Sequence, residues 1–277
     1  MLASAACFTV EASFIKTLGA DYPPAVILFW RQLVAVLILA PLVARDWRAV
    51  LATPRPGLMV LRSTIGMIGI LLAIIAYAAI PLADANALSF TRTLWIVLLA
   101  VLVLREPSGL KRIVTALVGF TGVVIMLQPG ATQPAMVAPY LAGLGAAFAT
   151  ALTILTVKVL ARDHSVLTLT TYAAGLGLVF SVPLALPVWT PPALTDLPLL
   201  IGLGIAGLAT LYCYTQGMHN GDAALMAPID YTRLVLAAVA GWLVFGETLT
   251  ITTTIGSAII IGSSALLTWR WSKAGSR

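Results

Sequence analysis

The sequence predicts an all-α membrane protein of ten transmembrane helices, built as two inverted five-helix repeats with both termini in the cytoplasm. Three observations carry that expectation. First, the 277 residues are 60% apolar and 9% charged, with a mean hydropathy of +1.03. That composition excludes a soluble domain, and the chain divides into about ten apolar runs near bilayer-spanning length. Second, the basic residues outside those runs fall almost entirely on one side. Third, Phe90-Thr91-Arg92 with Glu106 is nearly repeated, 141 residues on, by Tyr231-Thr232-Arg233 with Glu247.

The runs are approximately 2–18, 25–44, 58–80, 84–104, 110–128, 138–161, 168–188, 195–219, 223–245 and 250–271. The first carries Cys7, Glu11 and Lys16. Its acidic residue and the lack of a basic leader argue against a cleaved signal peptide. The second carries Trp30 and Arg31, the third Tyr77, and the fourth Phe90, Arg92 and Trp95. The fifth, with Gly119 and Gly122, closes the first half. A charge-free stretch bearing Pro and Gly, Gln128 to Pro139, separates repeats of residues 1–130 and 136–277. In the second half, Tyr214 lies in the eighth run, Asp230 and Arg233 in the ninth, and Gly256, Ser257 and Gly262 in the tenth. Small residues let helix backbones approach closely, within one chain or across a homodimer seam. The cysteines, Cys7 and Cys213, read as small buried residues rather than a disulfide. Strand-like alternating segments are absent.

The net charge of +6 does not indicate a nucleic-acid partner. Twelve of the sixteen basic residues lie at alternate loops or helix ends: Arg45, Arg48, Arg55, Arg62, Arg105, Lys111, Arg112, Lys158, Arg162, Arg270, Lys273 and Arg277. The opposite side has only Lys16. This is the positive-inside pattern. Five helices per repeat force the second copy to enter from the other side, hence the inversion. A second match supports the pairing: Lys16-Thr17-Leu18 with Asp21 parallels Lys158-Val159-Leu160 with Asp163. The copies differ near Pro228, which either kinks the ninth helix or sits at its start, where proline is tolerated.

Glu11, Arg31, Arg92, Asp230 and Arg233 are ionisable residues within spans. Each needs a partner, a water-filled cavity or a route to the interface. Asp230 and Arg233, three apart, can pair on one helix face. Arg92 and Glu11 must look to another helix, to water or to a ligand. Guanidinium groups recognise carboxylate or phosphate through paired hydrogen bonds, so Arg31, Arg92 and Arg233 suggest a negative group on a bound solute. Trp30, Tyr77, Phe90, Trp95, Tyr214 and Tyr231 lie near the same depth. They either stack on a ring or cation or pack the core. Trp189, Trp269 and Trp271 fit interfacial anchors. Glu11 either exchanges a proton as its hydration changes or forms a salt bridge to Arg31 or Arg92. No HExxH, GxSxG or Walker A pattern occurs. Neither a cofactor nor a metal site is expected, since His164 and His219 are isolated.

Four stretches bring a family into view: Pro81-Leu82-Ala83-Asp84-Ala85 leading to Phe90-Thr91; Gly119-Phe120-Thr121-Gly122-Val123; Ala227-Pro228-Ile229-Asp230-Tyr231-Thr232; and Gly241-Trp242-Leu243-Val244-Phe245-Gly246-Glu247. Over essentially its whole length the chain resembles the drug/metabolite transporter superfamily, specifically the ten-helix EamA-type carriers. It is similar to the branch carrying riboflavin, S-adenosylmethionine and metal-chelating metabolites. The resemblance implies a central cavity between helices one to four and six to nine, with the fifth and tenth outside. Arg105-Glu106-Pro107 departs from the family's commoner Gly-Glu.

The expectation is a secondary transporter in a bacterial inner membrane, not an enzyme. It would move a small zwitterionic or anionic metabolite, with an aromatic or heterocyclic part, by alternating access. With no ATP site, energy would come from a proton, an exchange partner or the solute gradient. The competing classes are an uncoupled facilitator or channel and, more distantly, an intramembrane enzyme, for which no converging nucleophile, base or metal set is evident.

Overall fold

The computed structural model describes residues 2–104, 110–127, 134–160, 163–220, 232–248 and 250–275. Among them every regular element is helical: α1 (Leu2–Leu18), α2 (Pro24–Arg45), the short α3 (Trp47–Leu51), α4 (Pro56–Ala79), α5 (Leu82–Leu104), α6 (Leu110–Leu127), α7 (Pro134–Leu160), α8 (Val166–Ala185) with a 3-10 turn (Leu186–Val188), α9 (Leu197–Asn220), α10 (Thr232–Phe245) and α11 (Ile251–Gly275). The spans read from hydropathy recur as these helices, the ninth over Thr232–Phe245 within the described residues. Pro228, Asp230 and Tyr231 lie outside the described residues, as do Arg105, Glu106 and Pro107.

Local sequence explains the helix ends. Proline opens α2 and α4, where its missing N–H costs nothing and its fixed φ suits the helix. Ser165 caps α8, its Oγ accepting from Thr168 N at 3.1 Å, and Thr250 does the same for Thr253 N ahead of α11. One boundary is corrected. The stretch from Gln128 to Pro139 was expected to be linker, yet α7 begins at Pro134 and contains Pro139. Proline at a helix's first position starts it rather than breaks it.

Four stretches are both long and apolar enough to cross a membrane: Pro24–Arg45, Pro56–Ala79, Met136–Val157 and Val166–Val188. At 1.5 Å per residue, 22 to 24 residues span roughly 33–36 Å, against a hydrocarbon thickness of about 30 Å. Shorter apolar helices cover Ile113–Met126, Leu197–Cys213, Thr232–Phe245 and Ile251–Leu266. Burial has the sense expected of a multi-pass membrane protein. Leu37, Val179, Val235, Trp242 and Leu243 are exposed, whereas Glu11, Gln32, Arg62, Asp84, Asn86, Thr91 and Arg233 are buried.

The helices of the two halves interleave. α1 packs on α9, α4 on α7 and α8, α2 on α8 and α9, and α5 on α7. One core runs through both halves, from Leu18, Ile27 and Leu28 through Ile74, Leu82, Leu88 and Phe90 to Leu200 and Ala237. α6 and α11 cross so closely that a Cβ on Gly122 would lie 2.6 Å from the Gly256 carbonyl oxygen. Backbone approach of this kind, rather than withdrawal of apolar surface from water, drives helix association in lipid.

Candidate functional site

Two polar clusters are built into the interior. The first centres on α1. Phe8 and Glu11, three residues apart, share a face. Arg31 of α2 donates from Nε to Glu11 Oε1 at 2.8 Å, with side-chain exposures of 16% and 7%. The arginine fits there because α9 offers Gly207, where a Cβ would stand 2.9 Å from Nη2 and 3.0 Å from Cζ. Arg233 of α10 places its Cζ 3.5 Å from the centroid of the Phe8 ring. Tyr77 of α4 meets the same ring edge-on, centroids 5.6 Å apart at 74°. Asn86 of α5, fully buried, donates to the Arg233 carbonyl at 3.1 Å, and its own Oδ1 has no partner among the described residues. Helices from both halves thus hold two arginines, one carboxylate and two aromatic rings together. The arrangement offers cation–π and paired hydrogen-bond chemistry.

The remaining candidates are more dispersed. Arg92, half-buried, lies with its Cζ 5.5 Å from the Phe90 ring of its own helix. Phe90 is part of the core. Trp95 is flanked edge-on by Phe120 of α6 (4.7 Å) and Phe148 of α7 (5.0 Å). Trp30 adjoins Arg31, and its buried Nε1 has no partner among the described residues. The Tyr214 side chain, Asp230 and Tyr231 lie outside what is described. Trp189 is exposed and packs edge-on against Phe29 at 5.4 Å.

Two sequence expectations are corrected. Arg62 was grouped with loop and helix-end residues, but α4 starts at Pro56 and carries it inside the bundle at 7% exposure. There Nη1 donates to the Leu169 carbonyl of α8 at 2.9 Å, and Nε has no partner among the described residues. Cys7 and Cys213, read as buried, are half-buried; both are free thiols.

The second cluster lies where α1 ends and α5 begins. Gly246, at φ 65°, terminates α10, with its N–H on the Trp242 carbonyl at 3.2 Å. This left-handed residue is the usual way to end a helix. Beyond it the chain doubles back, and the Glu247 carboxylate fits against Gly241, where a Cβ would stand 2.5 Å from Oε2. Glu247 pairs with Lys16 and accepts from Leu82 N, the first residue of α5, at 2.9 Å. Lys16 also donates to the Ile80 carbonyl at 2.8 Å. Asp84, 3% exposed, accepts from Tyr140 of α7 and from Thr253 of α11, the latter at 2.7 Å. Nearby, Tyr22 donates to Asp196 at 2.7 Å, and that carboxylate pushes the Tyr22 hydroxyl pKa up. Sequence reasoning singled out Lys16 and Glu247 through the repeat without joining them, and it missed Phe8, Asn86 and Tyr140. Only the three-residue step from Phe8 to Glu11 offered a signal. Among the described residues, no three His, Cys, Asp or Glu side chains are placed to hold a metal.

The pattern of the EamA-like transporter family matches residues 1–128 and again 137–269. The chain belongs to that family. It is 32% identical over 282 residues, covering all of this chain and 94% of the relative, to a riboflavin transporter of Vibrio cholerae. It is 30% identical over 264 residues, covering 95% and 89%, to an S-adenosylmethionine uptake transporter of Rickettsia bellii. At 26% over 255 residues, covering 92% and 89%, it is similar to a pseudopaline exporter of Pseudomonas aeruginosa. A solved crystal structure 18% identical in sequence superposes with a TM-score of 0.66, covering 100% of this chain and 98% of the other. That likeness bears on the fold alone. This EamA-like chain is a multi-pass membrane protein whose relatives are named as transporters of small metabolites.

Proposed function

We propose that this EamA-like protein is a secondary transporter of the bacterial inner membrane. It moves a small zwitterionic or anionic metabolite with a heterocyclic or aromatic part, by alternating access. The observation that carries the reading is the set of buried Glu11, Tyr77 and Arg233 with half-buried Phe8 and Arg31, contributed by α1, α2, α4 and α10. Charges at this depth are costly unless they serve a polar path. A guanidinium over an aromatic ring suits a solute with both an anionic group and a flat ring. Riboflavin and S-adenosylmethionine, named for two relatives, both contain nitrogen heterocycles. Trp30 Nε1 and Asn86 Oδ1, buried without a partner among the described residues, are groups to which a solute would hydrogen-bond.

The helix packing supports an inverted repeat. Exchanging α1, α2, α4 and α5 with α7, α8, α9 and α10 turns the α4–α7 contact into α9–α1. It likewise turns α5–α7 into α10–α1, and α2–α9 into α8–α4; all six contacts occur. With the basic residues placed inside, the Lys16 end faces away from the cytoplasm and both termini face it. Glu11 holds Arg31 against Gly207 until an anionic group draws the guanidinium away; the released carboxylate is then the proton acceptor. Arg92 faces the same path.

A thermal-shift screen of the purified protein against metabolites tests the binding step, since a ligand of the folded state raises apparent stability by mass action. Counterflow in liposomes then separates a carrier from a channel, because only a carrier exchanges faster when solute waits on the far side. A flux that saturates without counterflow would sink the carrier reading.

A further inference from the structure

We propose that Lys16, Asp84, Tyr140, Glu247 and Thr253 form a charge-locked gate that shuts one end of the transport path. The proposal rests on the transporter reading, and adds to it a specific set of bonds that must break for that end to open. Apart from the Lys16 bond to the Ile80 carbonyl, every link crosses between the halves. Lys16 of α1 pairs with Glu247 beyond α10. The same carboxylate accepts from the first backbone N–H of α5, and Asp84 of α5 takes donors from α7 and α11. The Lys16 and Glu247 side chains are only 16% and 17% exposed, so water and salt screen them less than a surface pair.

The opposite end is joined differently. There the described links are an exposed Arg55–Asp163 pair at 3.6 Å, 51% and 38% exposed, a Thr53–His164 hydrogen bond at 2.8 Å, Tyr172 on the Leu51 carbonyl at 2.8 Å, and the buried Arg62 on the Leu169 carbonyl. Exposed pairs of this kind contribute little. The ion pair described there is more exposed at both partners than Lys16–Glu247.

Lys16 and Glu247 hold each other by opposite charge, so the lock can be reversed. The geometry adds a constraint: Gly241 leaves room for the Glu247 carboxylate but for no side chain of its own. If the lock is a gate, reversing one charge opens that end, and reversing both closes it again.

The test uses the full chain with Cys7→Ala, Cys213→Ala and Ser89→Cys. Position 89 lies seven residues, about 10 Å, deeper along α5 than Leu82. The protein is reconstituted in vesicles of phosphatidylethanolamine and phosphatidylglycerol and labelled with a membrane-impermeant maleimide. Lys16→Glu and Glu247→Lys should each speed labelling of the cysteine at least about fivefold from the Lys16 side, and the double reversal should return it towards the parent rate. Unchanged labelling in both singles overturns the gate. So does a double variant that labels as fast as the singles, which would mean lost packing rather than a lost charge lock. If the singles do not fold, Lys16→Cys with Glu247→Cys is joined by a short bismaleimide, with a protease site placed between residues 128 and 133. Halves that stay together after cleavage support the contact, and halves that separate overturn it. Labelling needs no solute. Riboflavin or S-adenosylmethionine flux with insensitive labelling removes the gate alone; a responsive gate with no flux or exchange of either solute removes the transporter reading for them.

Discussion

Neutralising Glu11 gives a measurable account of the central ion pair. Arg31 and Glu11 are 16% and 7% exposed with their bonded atoms 2.8 Å apart, so the pair is largely withdrawn from solvent. Removing one partner of such a pair costs about 3–5 kcal/mol, because the other charge is left uncompensated. Glutamine keeps an acceptor for Arg31 Nε, and a hydrogen bond to a charged group is worth about 1.5–3 kcal/mol. The expected net cost of Glu11→Gln is therefore about 1–3 kcal/mol, and Glu11→Ala should approach the full penalty. For a chain of this size, each kcal/mol lowers Tm by roughly 2–4 °C. Arg31→Gln should cost a similar amount, and the double variant much less than the sum, giving a coupling energy above about 1 kcal/mol. The assay is thermal unfolding in detergent of the four members of the cycle. Additive losses, or a coupling energy within about 0.5 kcal/mol of zero, would refute the claim that the two side chains act as one buried unit.

Three further outcomes follow from the same geometry. Glu11→Gln should stay folded and support solute exchange, but lose the pH dependence of net flux. Continued concentration of solute by the variant under a pH gradient would assign coupling elsewhere. Arg233→Lys should lower transport at least about tenfold while leaving expression intact, because lysine offers a point charge in place of the flat guanidinium over Phe8; the same change at Arg92 should also impair transport, and uptake at the parent rate would indicate a packing role. Accessibility tags at residues 128–133 and at the C-terminus should report opposite sides of the membrane, whereas tags on one side would break the five-plus-five arrangement.

The helical architecture was legible in the sequence because the bilayer demands long apolar runs. The interior was less legible. Arg31 and Glu11 could each be flagged as costly at depth, and Arg31 stood among the partners considered for Glu11. What selects it is Gly207 on α9, a residue silent in hydropathy and 176 positions downstream of Arg31. Phe8 escaped notice because one aromatic in an apolar helix looks like packing until an arginine from another helix is found 3.5 Å above it. Arg62 was misplaced because side counting treats any arginine near a helix start as solvated. The 24-residue α4 begins early enough to draw it inward. Lys16 and Glu247 were visible as repeated marks, but a repeat relates each residue to its copy, not to its contact.

The connections of Asp84 also set an order of assembly during synthesis. Its two hydrogen-bond donors lie 56 and 169 residues further along the chain. When α5 leaves the ribosome, Arg31 and Glu11 can already meet, twenty residues apart, but Asp84 has neither donor, and the Leu82 amide must wait 165 residues for its acceptor. Until the second half is made, Asp84 and the Leu82 amide lack the partners they have in the folded chain. A chain truncated after α6 should be a substrate for membrane quality control, and co-expression of the missing half should rescue it.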